Sequence, residues 1–415
     1  MGKKGLGLWL ILAISVPTLN AQWISGFVPV RDLGVPDSNQ LYFPSGSDAF
    51  QDFYAKLDTL LREGEGQINI LHIGGSHVQA GTFSHQMRLR WLQVAPGLNA
   101  HRGWVFPFSV AKTNNPYNYQ VKCSGNWSWC KNTQKNVPYL MGLSGMVVCA
   151  NTPDCQLQIR MRNADIYVDF KRIRLFGFSD SNYVEPLLEI GGQLYEGEYD
   201  AQSRSYLFSP DFYSDSMKLL FVRKDVAWEP FYLRGFLLED DAPGITYHAV
   251  GVNGASVPSY LQCPLFENDL QFVKPDLCIF GIGINDANTD QFDSAEFKKR
   301  YEWLIAEILH VAPQCKFLFI TNNDSYRTLG RRRSSLNRNG PLVQQTFYRL
   351  AEEYQGAVWD LFAIMGGLGS VKRWESKGLV QRDKVHFTVP GYKYIGDLLF
   401  TAMMDAYAEH LNRED

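Results

Sequence analysis

Four short segments hold residue types that can divide the work of acyl transfer. Gly74-Gly75-Ser76-His77 offers a hydroxyl, and Asp383-Lys384-Val385-His386 offers a carboxylate three residues before an imidazole. Gly251-Val252-Asn253-Gly254 and Gly281-Ile282-Gly283-Ile284-Asn285 offer amide donors. A serine hydroxyl is a weak nucleophile until a base takes its proton. Histidine does this near neutral pH, and a carboxylate on its far nitrogen fixes the tautomer and stabilises the imidazolium. An Asn285 amide and a glycine N–H such as that of Gly254 are donors suited to the oxyanion that then forms. Each segment also has a plainer reading. Ser76 suits a helix cap, the asparagines suit turns, and Asp and His are common surface residues.

Position in the chain favours the chemical reading. Residues 68–74 read as a buried strand ending at Gly74, with helical character over about 78–94. Further apolar strands are expected at 245–250, 276–282, 315–321 and 356–361, so the Gly254 and Asn285 segments also follow strands. Helical stretches lie between or after them at 294–312, 341–355 and 391–412, the last opening on Pro390-Gly391. In the first of these, Phe297, Tyr301, Leu304, Ile305, Ile308 and Leu309 form one apolar stripe. Strands alternating with helices imply a parallel sheet covered on both faces. Ligands then gather at the carboxyl ends of the strands, where a helix N-terminus stabilises negative charge.

Residues 106–241 break this rhythm. They are rich in Asn, Tyr, Trp and Gly, and then in strand candidates at 156–162, 171–178, 186–190, 205–208, 217–223 and 231–238. Short strands between regular turns predict an antiparallel sandwich. The expected organisation of the 415 residues is an α/β domain from 22–105 and 242–415, interrupted by a β-rich domain over 106–241.

In chain order Ser, Gly, Asn and Asp/His, the four segments resemble the sequence blocks of the SGNH/GDSL hydrolases. The resemblance covers about 22–105 and 242–415. It implies a flavodoxin-like three-layer α/β/α hydrolase domain with an inserted antiparallel β-sandwich, acting as a serine esterase without metal or other cofactor. It assigns Ser76 as nucleophile, Asp383 and His386 as its partners, and Ser76 N–H, Gly254 and Asn285 as oxyanion donors. One position departs from the pattern. The family usually has Gly-Asp-Ser, where the Asp helps to hold the nucleophile turn, and here Gly75 stands in its place.

The β-rich insert, an export signal, His77 and Asn253-Gly254-Ala255 together resemble bacterial peptidoglycan O-acetylesterases. That resemblance implies an acetylated polysaccharide substrate, peptidoglycan first, and a carbohydrate-binding-like insert. Two other readings stay open. Gly75 favours a catalytically weak glycan-binding protein on a vestigial hydrolase fold. An exported lipase or thioesterase would need an apolar acyl groove.

The remaining signals concern location and partners. Lys3 and Lys4 precede an apolar run from Leu6 to Leu19 and a small residue at Ala21. This pattern predicts a signal peptide over 1–21 and an exported protein, periplasmic or secreted, with no membrane segment after cleavage. A net charge of −3 and the lack of a phosphate-cradling Gly-Lys-Ser/Thr loop give no basis for nucleic-acid or nucleotide binding. Seven cysteines fit an oxidising compartment. Cys123 with Cys130, and Cys149 with Cys155, are expected to pair locally, with 123–155 and 130–149 as the alternative; Cys278 and Cys315 read as buried thiols. His77, Arg331, Arg332 and Trp127 are candidate substrate contacts, the arginines for anionic groups and the tryptophan for a sugar face. The histidines show no metal-ligand spacing, and the oligomeric state is not legible.

Overall fold

The computed structural model describes residues 38–414, except Pro96 and the stretches 163–165, 167–168, 224–227 and 330–333. The expected signal peptide, Arg331 and Arg332 lie outside the described residues.

The apolar runs flanking the site segments form one seven-stranded sheet. Its order is Leu41–Tyr42, Ala357–Trp359, Lys316–Ile320, Leu277–Gly281, Gln67–Gly74, Gly244–Gly251, Asn99–His101. All pairings are parallel except that of the first two strands. Alternate side chains of the central strand enter different cores, as the two-residue strand period requires. Ile68 and Ile70 pack with Phe53, Leu57, Met87 and Leu399, while Leu71 and Ile73 pack with Leu304, Ile308 and Phe347. The helices Gln51–Glu63, Thr82–Trp91 and Val389–Glu414 thus cover one face, and Ser294–Val311 and Gly340–Glu353 cover the other. This is the expected three-layer α/β/α architecture.

The stripe read from the sequence over 294–312 is real. Phe297, Tyr301, Leu304, Ile305 and Ile308 are buried, and Asp293 caps the helix by accepting from the Ala295 and Glu296 amides. The single helix expected over 78–94 is instead two, Ser76–Gln79 and Thr82–Trp91. Gly81 separates them at φ +75, and a Cβ there would stand 2.5 Å from the Pro116 side chain, so this corner needs glycine.

Between Trp104 and Glu239 the chain builds two antiparallel sheets. One has the order Gln193–Glu196, Val184–Ile190, Ser216–Arg223, Gln156–Met161, Tyr119–Ser124. The other runs Glu198–Asp200, Ser205–Phe208, Arg172–Ser179, Phe231–Glu239, Met146–Ala150, Trp127–Lys131, with Trp104–Val105 paired to Phe231–Glu239. The sheets meet through apolar contacts such as Phe221 against Phe231, ring centroids 5.1 Å apart. The strands before residue 150 were not anticipated. Tyr119–Ser124, with mostly exposed and polar residues, shows no clear alternation.

A buried ion pair joins this β-rich part to the α/β part. Arg234 Nη2 lies 2.8 Å from Asp269 Oδ1, and neither side chain is exposed to solvent. All seven cysteines are free thiols. The expected local disulfides are therefore not formed. Cys123 and Cys130 sit on strands of different sheets. The Cys149 and Cys155 thiols each donate elsewhere, to Asn151 Oδ1 and to the Asn126 carbonyl.

Candidate active site

Strand register sets the level of the site. Gly74 stands opposite Gly251 on one side and Gly281 on the other, so three strands end together and their following turns converge. Two buried tyrosines fix these ends. Tyr260 Oη donates to the Gly74 carbonyl at 2.8 Å, and Tyr301 Oη donates to the Ile282 carbonyl.

Ser76 is the first residue of the short helix Ser76–Gln79, directly after the central strand. Its Oγ lies 2.7 Å from His386 Nε2. His386 Nδ1 in turn lies 2.7 Å from Asp383 Oδ2. A carboxylate only accepts, so Nδ1 carries the proton and Nε2 presents a lone pair to the serine hydroxyl. The Asp383–His386 turn is held from several sides. Asp383 Oδ1 accepts from the Val385 and His386 amides at 2.9 and 3.0 Å, and Asn323 Nδ2 donates to the Val385 carbonyl at 3.1 Å. Burial alone would raise the Asp383 carboxyl, but the hydrogen bonds from the His386 side chain and the two amides outweigh it and hold the group below its ordinary value.

Gly254 and Asn285 face the same space. An open cleft of about 420 Å³ is lined by Ser76, Gly254, Asn285 and His386, with Asn114, Asn253, Gln381 and Tyr392 among its walls. Gly254 has φ +85, a conformation that favours glycine. Asn285 Nδ2 donates to the Ala255 carbonyl at 2.8 Å, so the two oxyanion candidates are tied to each other. Asp286 adds a second tie, accepting from the Val257 amide at 3.1 Å. Burial pushes the Asp286 carboxyl up to about 6. Sequence reasoning gave no site role to Asp286 or Tyr260, and it placed Tyr301 only in the apolar stripe of its helix. The adjacency of Asp286 to Asn285 was the one signal available.

Two lesser candidates do not contact the cleft. Trp127 packs in the β-rich part, with its ring 6.1 Å from Phe221 and its Nε1 donating to the Ser124 carbonyl. It stands on the edge strand of its sheet, half-buried and outside the residues that line the cleft. His77 lies behind the triad, its Nδ1 2.8 Å from Tyr392 Oη and its ring centroid 5.4 Å from that of His386. It lines a small cavity of about 30 Å³ with His72, Phe83 and Phe387. Burial first, and then the neighbouring His386, lower its pKa to about 3, so it is neutral. Arg327, of the same basic segment as Arg331, pairs with Asp290. Among the described residues no cluster of three or more His, Cys, Asp or Glu side chains is placed to hold a metal ion, and no helix is long and apolar enough to cross a membrane.

Comparison with known proteins agrees with this geometry. Residues 223–394 match the GDSL-like lipase/acylhydrolase family. The match contains Gly254, Asn285, Asp383 and His386, and it leaves out Ser76, which the β-rich insert separates from the rest in sequence. No curated protein gives a significant match. The solved structure of a peptidoglycan O-acetylesterase is similar over 89% of this chain and 99% of that one, with 22% identity and a TM-score of 0.71. An acetyl xylan esterase aligns over 38% of this chain and 81% of its own, with 19% identity and a TM-score of 0.31. A family two carbohydrate esterase from Cellvibrio japonicus aligns over 70% and 99%, with 11% identity and a TM-score of 0.27. The family match thus covers four of the five site residues, and the 0.71 TM-score shows a shared fold.

Proposed function

We propose that this SGNH/GDSL-type hydrolase is an exported serine esterase that removes O-acetyl groups from a polysaccharide, peptidoglycan first among them. The observation that carries the reading is the continuous relay Ser76–His386–Asp383, with both links at 2.7 Å, opening on the cleft that also holds Gly254 and Asn285. The similar structure named for peptidoglycan O-acetylesterase activity supports the substrate.

In this mechanism His386 Nε2 takes the Ser76 proton as Oγ attacks the acetyl carbonyl. Asp383 stabilises the imidazolium. Asn285 Nδ2, Gly254 N–H and Ser76 N–H donate to the tetrahedral oxyanion. His386 then protonates the sugar oxygen that leaves. Water, activated by the same imidazole, releases acetate from Ser76 Oγ. The carboxamides of Asn114, Asn253 and Gln381 on the cleft wall suit sugar hydroxyls better than a long acyl chain. A series of 4-nitrophenyl esters tests this: hydrolysis should fall steeply beyond short acyl groups, and a preference for long chains would replace this reading with that of a lipase.

A further inference from the structure

Gln79 ends the short helix that begins at Ser76, and it is only 2% exposed. Its amide joins two distant parts of the chain. Oε1 accepts from the Asn253 backbone N–H at 2.6 Å. Nε2 donates to Thr113 Oγ1 and to the Asn114 carbonyl, both at 3.0 Å. The Asn253 side chain runs to the same place, its Nδ2 donating to Asn114 Oδ1 at 2.8 Å and to Thr113 Oγ1 at 3.1 Å. Thr113 and Asn114 lie between the strand Trp104–Val105 and the strand Tyr119–Ser124, within the β-rich part. Asn253 is the residue before Gly254.

We propose that Gln79 and Asn253 are positioning residues through which the 113–114 loop of the β-rich part sets the oxyanion turn at Gly254. The β-rich part is then a component of the catalytic centre as well as a neighbour to it. Packing anchors the flanks of this turn, where Val252 and Ala255 are fully buried, but leaves Gly254 itself in open space. A Cβ on Gly254 would meet nothing nearer than Thr133 at 3.9 Å. Between these buried flanks, side-chain hydrogen bonds set where its N–H stands. They come from Asn285 on one side, through the Ala255 carbonyl, and from Gln79 on the other, through the Asn253 amide. A displacement of about 1 Å in such a group costs on the order of a hundredfold in rate. The proposal rests on the esterase reading above for its catalytic consequence.

Two variants of the full chain test it. Gln79→Glu keeps an acceptor for the Asn253 amide but removes the donor to Thr113 and Asn114. Thr113→Val removes the hydroxyl that accepts from both amides and nearly preserves its shape. The readouts are kcat and KM on a soluble acetyl ester and hydrogen exchange of the segment 251–256. Gln79→Glu should lower kcat by at least about tenfold while KM stays within about threefold, the pattern of a lost transition-state interaction. Exchange in 251–256 should rise by about tenfold while the helix Ser294–Val311 stays protected. Thr113→Val should move both readouts in the same direction by less. Unchanged kcat in both variants overturns the proposal, whether or not thermal stability falls. So does unchanged exchange at 251–256. A wild-type protein without esterase activity would defeat the functional reading instead, and the exchange measurement would still decide whether the loop sets the turn.

Discussion

Gly75 lies against the side-chain amide of Asn285: a Cβ built on Gly75 would stand 3.3 Å from Asn285 Nδ2 and 3.4 Å from the Ala255 carbonyl. The position is thus an open seat beside the hydrogen bond that ties the two oxyanion candidates together. Its φ of −99° lies outside the left-handed region that favours glycine. Gly75→Ala should displace Asn285 by a few tenths of an ångström and cost less than about tenfold in turnover, about 1.4 kcal/mol of barrier. Gly75→Asp, which restores the pattern usual in the family, adds a charged acceptor for the same amide. Its turnover should equal or exceed that of Gly75→Ala. A lower value would mean that the active site is organised around the absence of a carboxylate there.

Asn285 anchors the Ala255 carbonyl, and in the proposed mechanism the same amide donates to the oxyanion. Asn285→Ala should lower kcat by about 100- to 1,000-fold. Since the oxyanion forms only in the transition state, KM should change little. Steady-state kinetics on an acetyl ester check this. Unchanged turnover would remove Asn285 from the mechanism.

Asp286 makes stability depend on pH in an unusual direction for a carboxylate. Its folded pKa, about 6, lies above the ordinary 3.8. Between these values the native state holds a proton that the unfolded state has released, so this group lowers stability as pH rises from about 4 to 6. Asp286→Asn keeps an acceptor for Val257 and removes the ionisation. Denaturation curves at pH 4 and pH 7 should show that the variant loses part of the wild-type decline over that interval. An identical pH dependence in the two proteins would show that Asp286 is not the group responsible.

The Arg234–Asp269 pair, fully buried between the β-rich and α/β parts, gives an asymmetric mutational pattern. Arg234→Met alone leaves a carboxylate without its cation and should cost about 3–5 kcal/mol. The double change Arg234→Met with Asp269→Leu removes both charges and should recover much of that loss. Urea unfolding of the wild type, each single variant (Arg234→Met and Asp269→Leu) and the double variant checks this. Additive costs in the double variant would contradict the view that the stranded charge is what destabilises.

How far the sequence revealed this site follows from how local each signal was. The turns carrying Ser76, Gly254, Asn285 and Asp383–His386 were legible because each pairs special residue types with a strand before it or a helix after it. The sheet beneath them was legible from apolar runs such as 68–74. The links among the turns were not. Gln79 reaches Thr113 and Asn114 inside the insert, and Tyr260 reaches Gly74 across 186 residues, so neither contact leaves a spacing pattern. Trp127 and His77 show the opposite case, since neither lines the cleft. A residue type suited to ligands does not say where the side chain will stand: Trp127 Nε1 donates to the Ser124 carbonyl and His77 Nδ1 pairs with Tyr392 Oη. The cysteine pairs failed because nearness in sequence does not place Cys123 and Cys130 on the same sheet.

The central claim is that Ser76 is the nucleophile of an O-acetylesterase. It is tested most directly by acetate release from O-acetylated peptidoglycan, comparing the wild-type protein with Ser76→Ala. The account predicts release by the wild type and a loss of at least about a thousandfold in the variant. No release by the wild type, or equal release by the two proteins, would contradict it.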